Sequence, residues 1–331
     1  MSFRTRIRNP QLDVVVIVDS RSWPGMTALI MKKVLILGSS GLLGKALLDA
    51  FATDFEVIAW DRPEIDVTDR RQVFEKIGAL KPDYIINAAA FNDVDKIETD
   101  PAIFKLAMAV NADAVGLIAE CASKVGAVVV HYSTDYVFAG DTGLGYDESA
   151  KPNPISKYGE TKAEGEKLLQ KNTDKFYLIR LSRLFGPPSS DFGVSKPPSS
   201  QAGTSKKSFV DLVVDLAAQK KELRLVDEEA SCPTYSADLA GFTLNLIRQK
   251  IPFGIYHGAN SGTSTWYSLA KEVFKIKKIS AKVTPIKSSE YIRPAKRPLY
   301  SELLNTKLSA QRSWHEALTE YLRIPPPSPS P

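Results

Sequence analysis

An apolar run, Lys33-Val-Leu-Ile-Leu37, passes directly into Gly38-Ser-Ser-Gly41-Leu-Leu-Gly44, and Leu42 to Phe51 then carries helical periodicity. A buried strand that ends in spaced glycines and opens a helix is a narrow structural specification. Gly38 permits the tight turn, Gly41 lets backbone approach a pyrophosphate, and Gly44 permits close helix packing. The first helical turn offers its unpaired amides to an anion. This join predicts the first strand, loop and helix of a nucleotide-binding α/β unit.

Short apolar strands are expected at 56–60, 84–87, 127–131 and 176–180, with helices at 42–51, 70–77, 101–125, 208–219 and 264–275. Asp100 stands in N-cap position before Pro101, the pairing that starts a helix. Strands that are apolar throughout and alternate with helices imply a parallel sheet covered on both faces. The fold class expected is α/β, a Rossmann-like doubly wound parallel sheet with a smaller C-terminal lobe. The boundaries read as an N-terminal extension at 1–30, a main nucleotide-binding unit at 31–185, a second lobe at 186–324 and a proline-rich tail at 325–331. The second lobe is expected to be interleaved with elements returning to the main sheet.

In the extension, Val14-Val-Val-Ile-Val18 lies between Asp13 and Asp19 with no small-residue cleavage site after it, which argues against a signal peptide. It reads as an extra strand, or as sequence upstream of a domain that begins at Met31. Residues 186–206 have almost no apolar periodicity and read as a lid or a surface insert. The tail, Pro325 to Pro331, has no core to join and suits an extended conformation.

With 44% hydrophobic and 24% charged residues, the 331-residue chain has the composition of a soluble globular protein. Its formal charge of +5 is spread along the chain rather than gathered into a tract, so no nucleic-acid partner is expected. No stretch reads as long or apolar enough to span a membrane. Cys121 and Cys232 form no motif, and His131, His257 and His315 show no metal-ligand spacing. A reduced, cytoplasmic protein without a structural metal is the expectation.

Asp61 ends the second strand, seventeen positions after Gly44, near the distance at which a carboxylate meets a ribose 2′-hydroxyl. That favours NADH, while Arg62 beside it suits a 2′-phosphate, so NADH and NADPH both stay open. The expected cofactor contacts are Gly38, Ser40, Gly41, Leu42, Leu43 and Gly44 of the loop, then Asp61 and Arg62. Asp66 and Val67 would follow beneath the adenine, although Asp66-Val-Thr-Asp69 also suits a helix N-cap at Thr68 or Asp69. Ala88, Ala89 and Ala90 end a strand with side chains small enough for a nucleotide to pass.

Ser133-Thr-Asp-Tyr-Val-Phe138 follows a strand, where an open parallel sheet places ligands. Tyr158 and Lys162 are four apart and share one helical face. Beside a nicotinamide this set suggests carbonyl reduction. Thr134 would donate to the carbonyl oxygen, and Tyr158 would act as general acid. Lys162 would bond the nicotinamide ribose and favour the tyrosinate.

These segments resemble the extended short-chain dehydrogenase/reductase superfamily, and within it the dTDP-4-dehydrorhamnose reductase family. The matching pieces include the glycine loop, Asp66-Val-Thr-Asp69, Asn87-Ala-Ala-Ala-Phe-Asn-Asp-Val-Asp-Lys96 and Asn111. They continue with Ser133-Thr-Asp-Tyr-Val-Phe138, Tyr158-Gly-Glu-Thr-Lys162, Pro233-Thr-Tyr-Ser-Ala-Asp238 and Arg297-Pro298, so the likeness runs over about 31–324. It implies reduction of the 4-keto group of a dTDP-linked keto-sugar by NADH or NADPH. It also implies substrate contacts at Val94, Asp95, Lys96, Thr134, Asp135, Tyr158 and Arg297, a substrate-binding role for the second lobe, and a structural role for Asn111. A homodimer and Mg2+ are compatible with the resemblance, but neither has a signal in the sequence. The alternatives of the same fold are a nucleotide-sugar epimerase or dehydratase, and a noncatalytic NAD(P)-binding subunit like that of methionine adenosyltransferase. The chain departs from the family at Leu181-Ser-Arg-Leu-Phe-Gly186, where a tryptophan is usual, at Asp227-Glu-Glu-Ala230, and in the 186–206 insert.

Overall fold

Successive side chains of each central strand enter two different cores, which is why these strands are apolar without alternation. In a computed structural model of the chain, the described residues are 4–9, 14–19, 31–187, 207–219 and 222–323. The tail expected at 325–331 and nearly all of the expected 186–206 insert therefore lie outside the described residues. Strands β1 (Arg4–Asn9) and β2 (Val14–Asp19) pair antiparallel with each other.

The main sheet is built from β3 (Lys33–Leu37), β4 (Glu56–Trp60), β5 (Tyr84–Asn87), β6 (Val128–Thr134) and β7 (Phe176–Leu181). Short β8 (Leu184–Phe185), β9 (Glu222–Val226) and β10 (Thr234–Tyr235) lie outside it, and β11 (Gly254–His257) returns to it. The last strand, β12 (Lys282–Ile286), pairs in parallel with β9, and β8 pairs in parallel with β10. The six-stranded order is β11-β7-β6-β5-β3-β4, with every neighbour parallel. The chain leaves β3 for β4 on one side and then crosses to β5 on the other. That reversal opens a crevice at the carboxyl ends of β3 and β5, where such sheets bind ligands.

Helix α1 (Leu42–Phe51) covers one face together with α9 (Ser236–Arg248). Val34, Ile36, Ile86, Val130 and Ile179 meet Leu47, Phe51, Leu239 and Leu246 there. On the opposite face Leu35, Leu37, Ile85, Val129 and Leu178 meet Val115, Ile118 and Ala119 of α6 (Ala114–Val125). Each such fully buried aliphatic side chain contributes about 1.5–3 kcal/mol. Between these elements lie α2 (Arg70–Gln72), α3 (Gly78–Leu80), α4 (Val94–Thr99), α5 (Pro101–Met108) and α7 (Lys157–Asn172). A third core joins α8 (Phe209–Gln219), α10 (Trp266–Lys277) and α11 (Trp314–Arg323) around Phe185, Tyr235 and Trp314.

Three expectations are corrected. The helix read at 70–77 continues to Leu80 through a π-helical turn, Val73–Ile77. The strand read at 127–131 runs on to Thr134, because main-chain pairing with β7 persists after the apolar run ends. One helical stretch, Pro101–Val125, is long and apolar enough by length and composition to span a membrane, with mean hydropathy 1.6. Its α6 half packs into the core under the sheet, as a core helix does.

Candidate active site

The loop after β3 turns at Gly38, whose φ of +76° and close approach to the Ala88–Ala89 backbone exclude any side chain. A Cβ on Gly44 would lie 2.3 Å from the Gly38 carbonyl oxygen, so α1 can start this close to the loop only on glycine. Gly41 caps α1 without a side-chain hydrogen bond. The loop is braced from β4: Asp61 accepts from the Ser39 hydroxyl at 2.5 Å, the Ser40 amide at 2.9 Å and the Ser40 hydroxyl at 3.0 Å. Asp66 turns its carboxylate onto the Thr68 amide and hydroxyl, and Asp69 caps α2.

A cavity of about 800 Å³ follows this crevice, within the range of cofactor sites. Every expected cofactor residue lines it: the six loop positions, Asp61, Arg62, Asp66, Val67, Ala88 to Ala90 and Lys162. The glycine cradle and the uncapped first turn of α1 fit a dinucleotide's pyrophosphate.

Thr134 ends β6, and Tyr158 and Lys162 stand on the first turns of α7, which Ser156 caps through the Gly159 amide. Asn111 fastens this helix start. It exchanges hydrogen bonds with the Phe91 main chain at 2.8 and 2.9 Å and donates to the Thr161 hydroxyl at 3.0 Å. The rings of Tyr136 and Tyr158 meet edge to face at 5.7 Å.

Thr134 has one hydroxyl hydrogen and two acceptors for it, the Asp135 carboxylate at 3.1 Å and the Tyr158 phenol. Burial pushes the Tyr158 phenol well above its ordinary value, and the Thr134 hydrogen bond pulls it part of the way back. Burial likewise raises the Asp135 carboxyl, against hydrogen bonds from Ser301 at 2.6 Å and from Thr134. Lys162 is buried, and desolvation lowers its ammonium to about 8 while the Glu166 carboxylate holds it up. Its hydrogen bonds go to the Tyr132 carbonyl at 2.7 Å and to His131 Nε2 at 3.3 Å. Lys162 therefore bonds the strand behind it rather than the Tyr158 hydroxyl.

A second cavity of about 160 Å³ adjoins, and Asn92, Thr134, Tyr158 and Arg183 line both. Of the other expected substrate residues, Val94 and Asp135 line it. Asp95 and Arg297 are elsewhere engaged. They form a two-pronged pair at 2.6 and 2.8 Å, which holds the Asp95 carboxyl below its usual range. Lys96 pairs with Asp93, and its side chain is 70% exposed. None of these three lines either cavity.

The sequence reading did not assign Arg183, Glu229 and Trp266 to the site. Arg183 adopts a left-handed φ of +44° and stacks 4.1 Å from the Trp266 ring. It donates to the carbonyls of Ser264 at 2.6 Å and of Glu229. Trp266 donates to the Glu229 carboxylate at 3.0 Å, and Arg293 pairs with the same group. Arg183 and Glu229 fall in the two segments that depart from the family pattern, which was the available signal. Among the described residues, no group of three or more His, Cys, Asp or Glu is placed to hold a metal ion.

The family described as RmlD substrate binding domain matches residues 31–324. The chain belongs to this family. It is 34% identical over 298 residues to the dTDP-4-dehydrorhamnose reductase of Streptomyces griseus, covering 86% of this chain and 91% of that protein. It is 33% identical over 298 residues to the spore coat polysaccharide biosynthesis protein SpsK of Bacillus subtilis, covering 88% and 98%. A solved dTDP-4-dehydrorhamnose reductase from Bacillus anthracis in complex with NADP superposes with a TM-score of 0.79 at 30% identity, covering 88% of this chain and 98% of that one. The fold extends further, to a Thermus thermophilus UDP-glucose 4-epimerase with a TM-score of 0.70 at 19% identity, covering 88% and 97%. Family membership bears out the resemblance drawn from the sequence, over the same span.

Proposed function

We infer that this chain reduces the 4-keto group of a dTDP-linked deoxysugar with NAD(P)H, converting dTDP-4-dehydro-L-rhamnose to dTDP-L-rhamnose. The observation that carries the reading is the seam at Thr134 and Tyr158, where a cofactor-sized cavity meets a smaller one. Bound NAD(P)H supplies the hydride. The chain's own residues supply the proton and the geometry. A substrate carbonyl at the seam accepts from the Tyr158 phenol, which gives up its proton as negative charge develops on the oxygen. Burial keeps that phenol protonated until then. Thr134 turns its single hydrogen from Asp135 to the same oxygen and stabilises the charge.

Lys162 stays cationic below about pH 8 and offsets the tyrosinate left behind. In this reading the glycine loop, Asp61, Arg62, Asp66, Val67 and the alanines hold the cofactor. Val94, Asp135 and Arg183 face the sugar, and the elements after β8, apart from α9 and β11, which belong with the main sheet, form the substrate lobe. Asp95 and Arg297 brace that lobe from 2.6 Å apart rather than binding the sugar. The two buried, unpaired thiols of Cys121 and Cys232 suit a reducing, cytoplasmic setting, and a homodimer is the assembly to test. Following nicotinamide oxidation with dTDP-4-dehydro-L-rhamnose tests the function. Turnover that requires both sugar and cofactor supports it, and tight cofactor binding without consumption refutes it.

A further inference from the structure

His131 is fully buried on β6 directly behind Lys162, and nothing in the reaction as described uses it. A buried imidazole needs a reason. Burial and the neighbouring Lys162 charge hold its pKa well below 6.5, so the ring is neutral and one of its nitrogens carries a lone pair. Nε2 lies 3.3 Å from Lys162 Nζ, and the Tyr132 carbonyl lies 2.7 Å from the same nitrogen. An ammonium has three hydrogens. Two acceptors behind it leave the third for the cleft, which Lys162 lines.

Nδ1 faces Asn87 on β5. Asn87 Oδ1 accepts from the Ala89 amide, so its side-chain NH2 is the group 3.3 Å from Nδ1, while its main-chain carbonyl accepts from a protonated ring nitrogen. Each ring nitrogen therefore faces a donor, and the neutral ring has one lone pair to offer. The charged donor is the stronger claimant, and only the tautomer with the proton on Nδ1, given to the Asn87 carbonyl, leaves Nε2 free to accept from the ammonium. We propose that His131 is a positioning residue for the reduction, its Nε2 lone pair acting with the Tyr132 carbonyl to hold Lys162 as an ammonium aimed into the cleft. The proposal rests on the reductase reading for its purpose but not for its geometry.

Among the described residues, few charged or titratable groups surround Lys162. On its own helix stand Tyr158 and Glu166. From β7 comes Arg180, which takes both Glu166 oxygens at 2.9 and 2.7 Å, and beyond Thr134 lies Asp135. Glu166 is thus shared with a second cation, and His131 supplies an uncharged support on the strand side. Removing an acceptor from a charged form lowers that group's pKa when the group is a base. The ammonium exists below its pKa, so its loss then begins at lower pH.

The test has two arms. With three histidines in the chain, proton–nitrogen correlation spectra of the imidazoles identify each tautomer without any turnover. His131 is expected to be neutral through the neutral range with its proton on Nδ1. A proton on Nε2, or a ring titrating at its ordinary pKa of 6.5, overturns the proposal even if the enzyme is active. In the second arm, the pH profile of kcat/KM for the sugar is compared among wild type, His131→Phe and His131→Gln. The phenylalanine variant is expected to move the basic limb down by roughly one unit, with kcat lowered on the order of tenfold. Glutamine, whose carbonyl can accept, is expected to restore the limb. Basic limbs that coincide in all three proteins overturn the proposal.

Discussion

Glu166 and Arg180 form a pair at the centre of the molecule, with both side chains 1% exposed. The carboxylate accepts from Arg180 Nε at 2.9 Å and from Nη2 at 2.7 Å, and the guanidinium lies 5.0 Å from the centre of the Phe138 ring. Glu166→Gln keeps the shape and deletes the charge. It turns an amide N–H toward the guanidinium and leaves a buried cation without its counter-ion, a loss of about 3–5 kcal/mol. At about 2–4 °C per kcal/mol for larger domains, Tm should fall by roughly 6–20 °C. Scanning calorimetry at fixed protein concentration reads this directly. The double variant Glu166→Leu/Arg180→Met should recover most of the loss, because well-packed apolar residues replace a buried pair at little net cost. Glu166 also holds the Lys162 ammonium up, so Glu166→Gln should move the basic limb of activity below about pH 8. A Glu166→Gln protein within about 2 °C of wild type would refute the electrostatic reasoning.

Tyr158→Phe should lower kcat by about 10²–10⁴-fold, the worth of a positioned general acid, with cofactor affinity nearly unchanged in a fluorescence titration. In the wild type, activity should decline as pH rises through about 8, since the Lys162 ammonium is present below that value and lost above it. Gly44→Ala would force a Cβ to 2.3 Å from the Gly38 carbonyl and 2.5 Å from that of Ser39, both backbone atoms. Overpacking of that kind costs about 1–3 kcal/mol, so NAD(P)H affinity measured by calorimetry should weaken with little change in the circular dichroism spectrum. Asp61→Ala removes the acceptor for Ser39 and Ser40. It should weaken NADH by about tenfold or more, the scale of one charged hydrogen bond, and NADPH by less, as read by KM for each.

The main sheet was legible because β3 to β7 carry residues for two cores, so burial on both faces leaves a continuous apolar mark. The glycine loop was legible because Gly38 and Gly44 sit where backbone atoms exclude a Cβ. The end of β6 was not, since Ser133 and Thr134 are polar residues facing the crevice and break the apolar pattern while the backbone still pairs. The smaller cavity was least legible. Arg183, Glu229 and Trp266 come from segments tens of residues apart and meet through a main-chain carbonyl, an indole-to-carboxylate hydrogen bond and a ring face, which leave no periodicity. Asp95 and Arg297, 202 positions apart, show the reverse: charged side chains near a site whose charge is consumed by each other.

Hydride delivery to the sugar ketone tests the central claim most directly. With dTDP-4-dehydro-L-rhamnose and nicotinamide cofactor deuterated on either face of C4, one face should transfer its label completely to C4 of the sugar, in step with cofactor oxidation. Tyr158→Phe should slow that transfer without redirecting it. Product carrying solvent hydrogen at C4, or sugar rearranged while the cofactor keeps its label, would contradict the account.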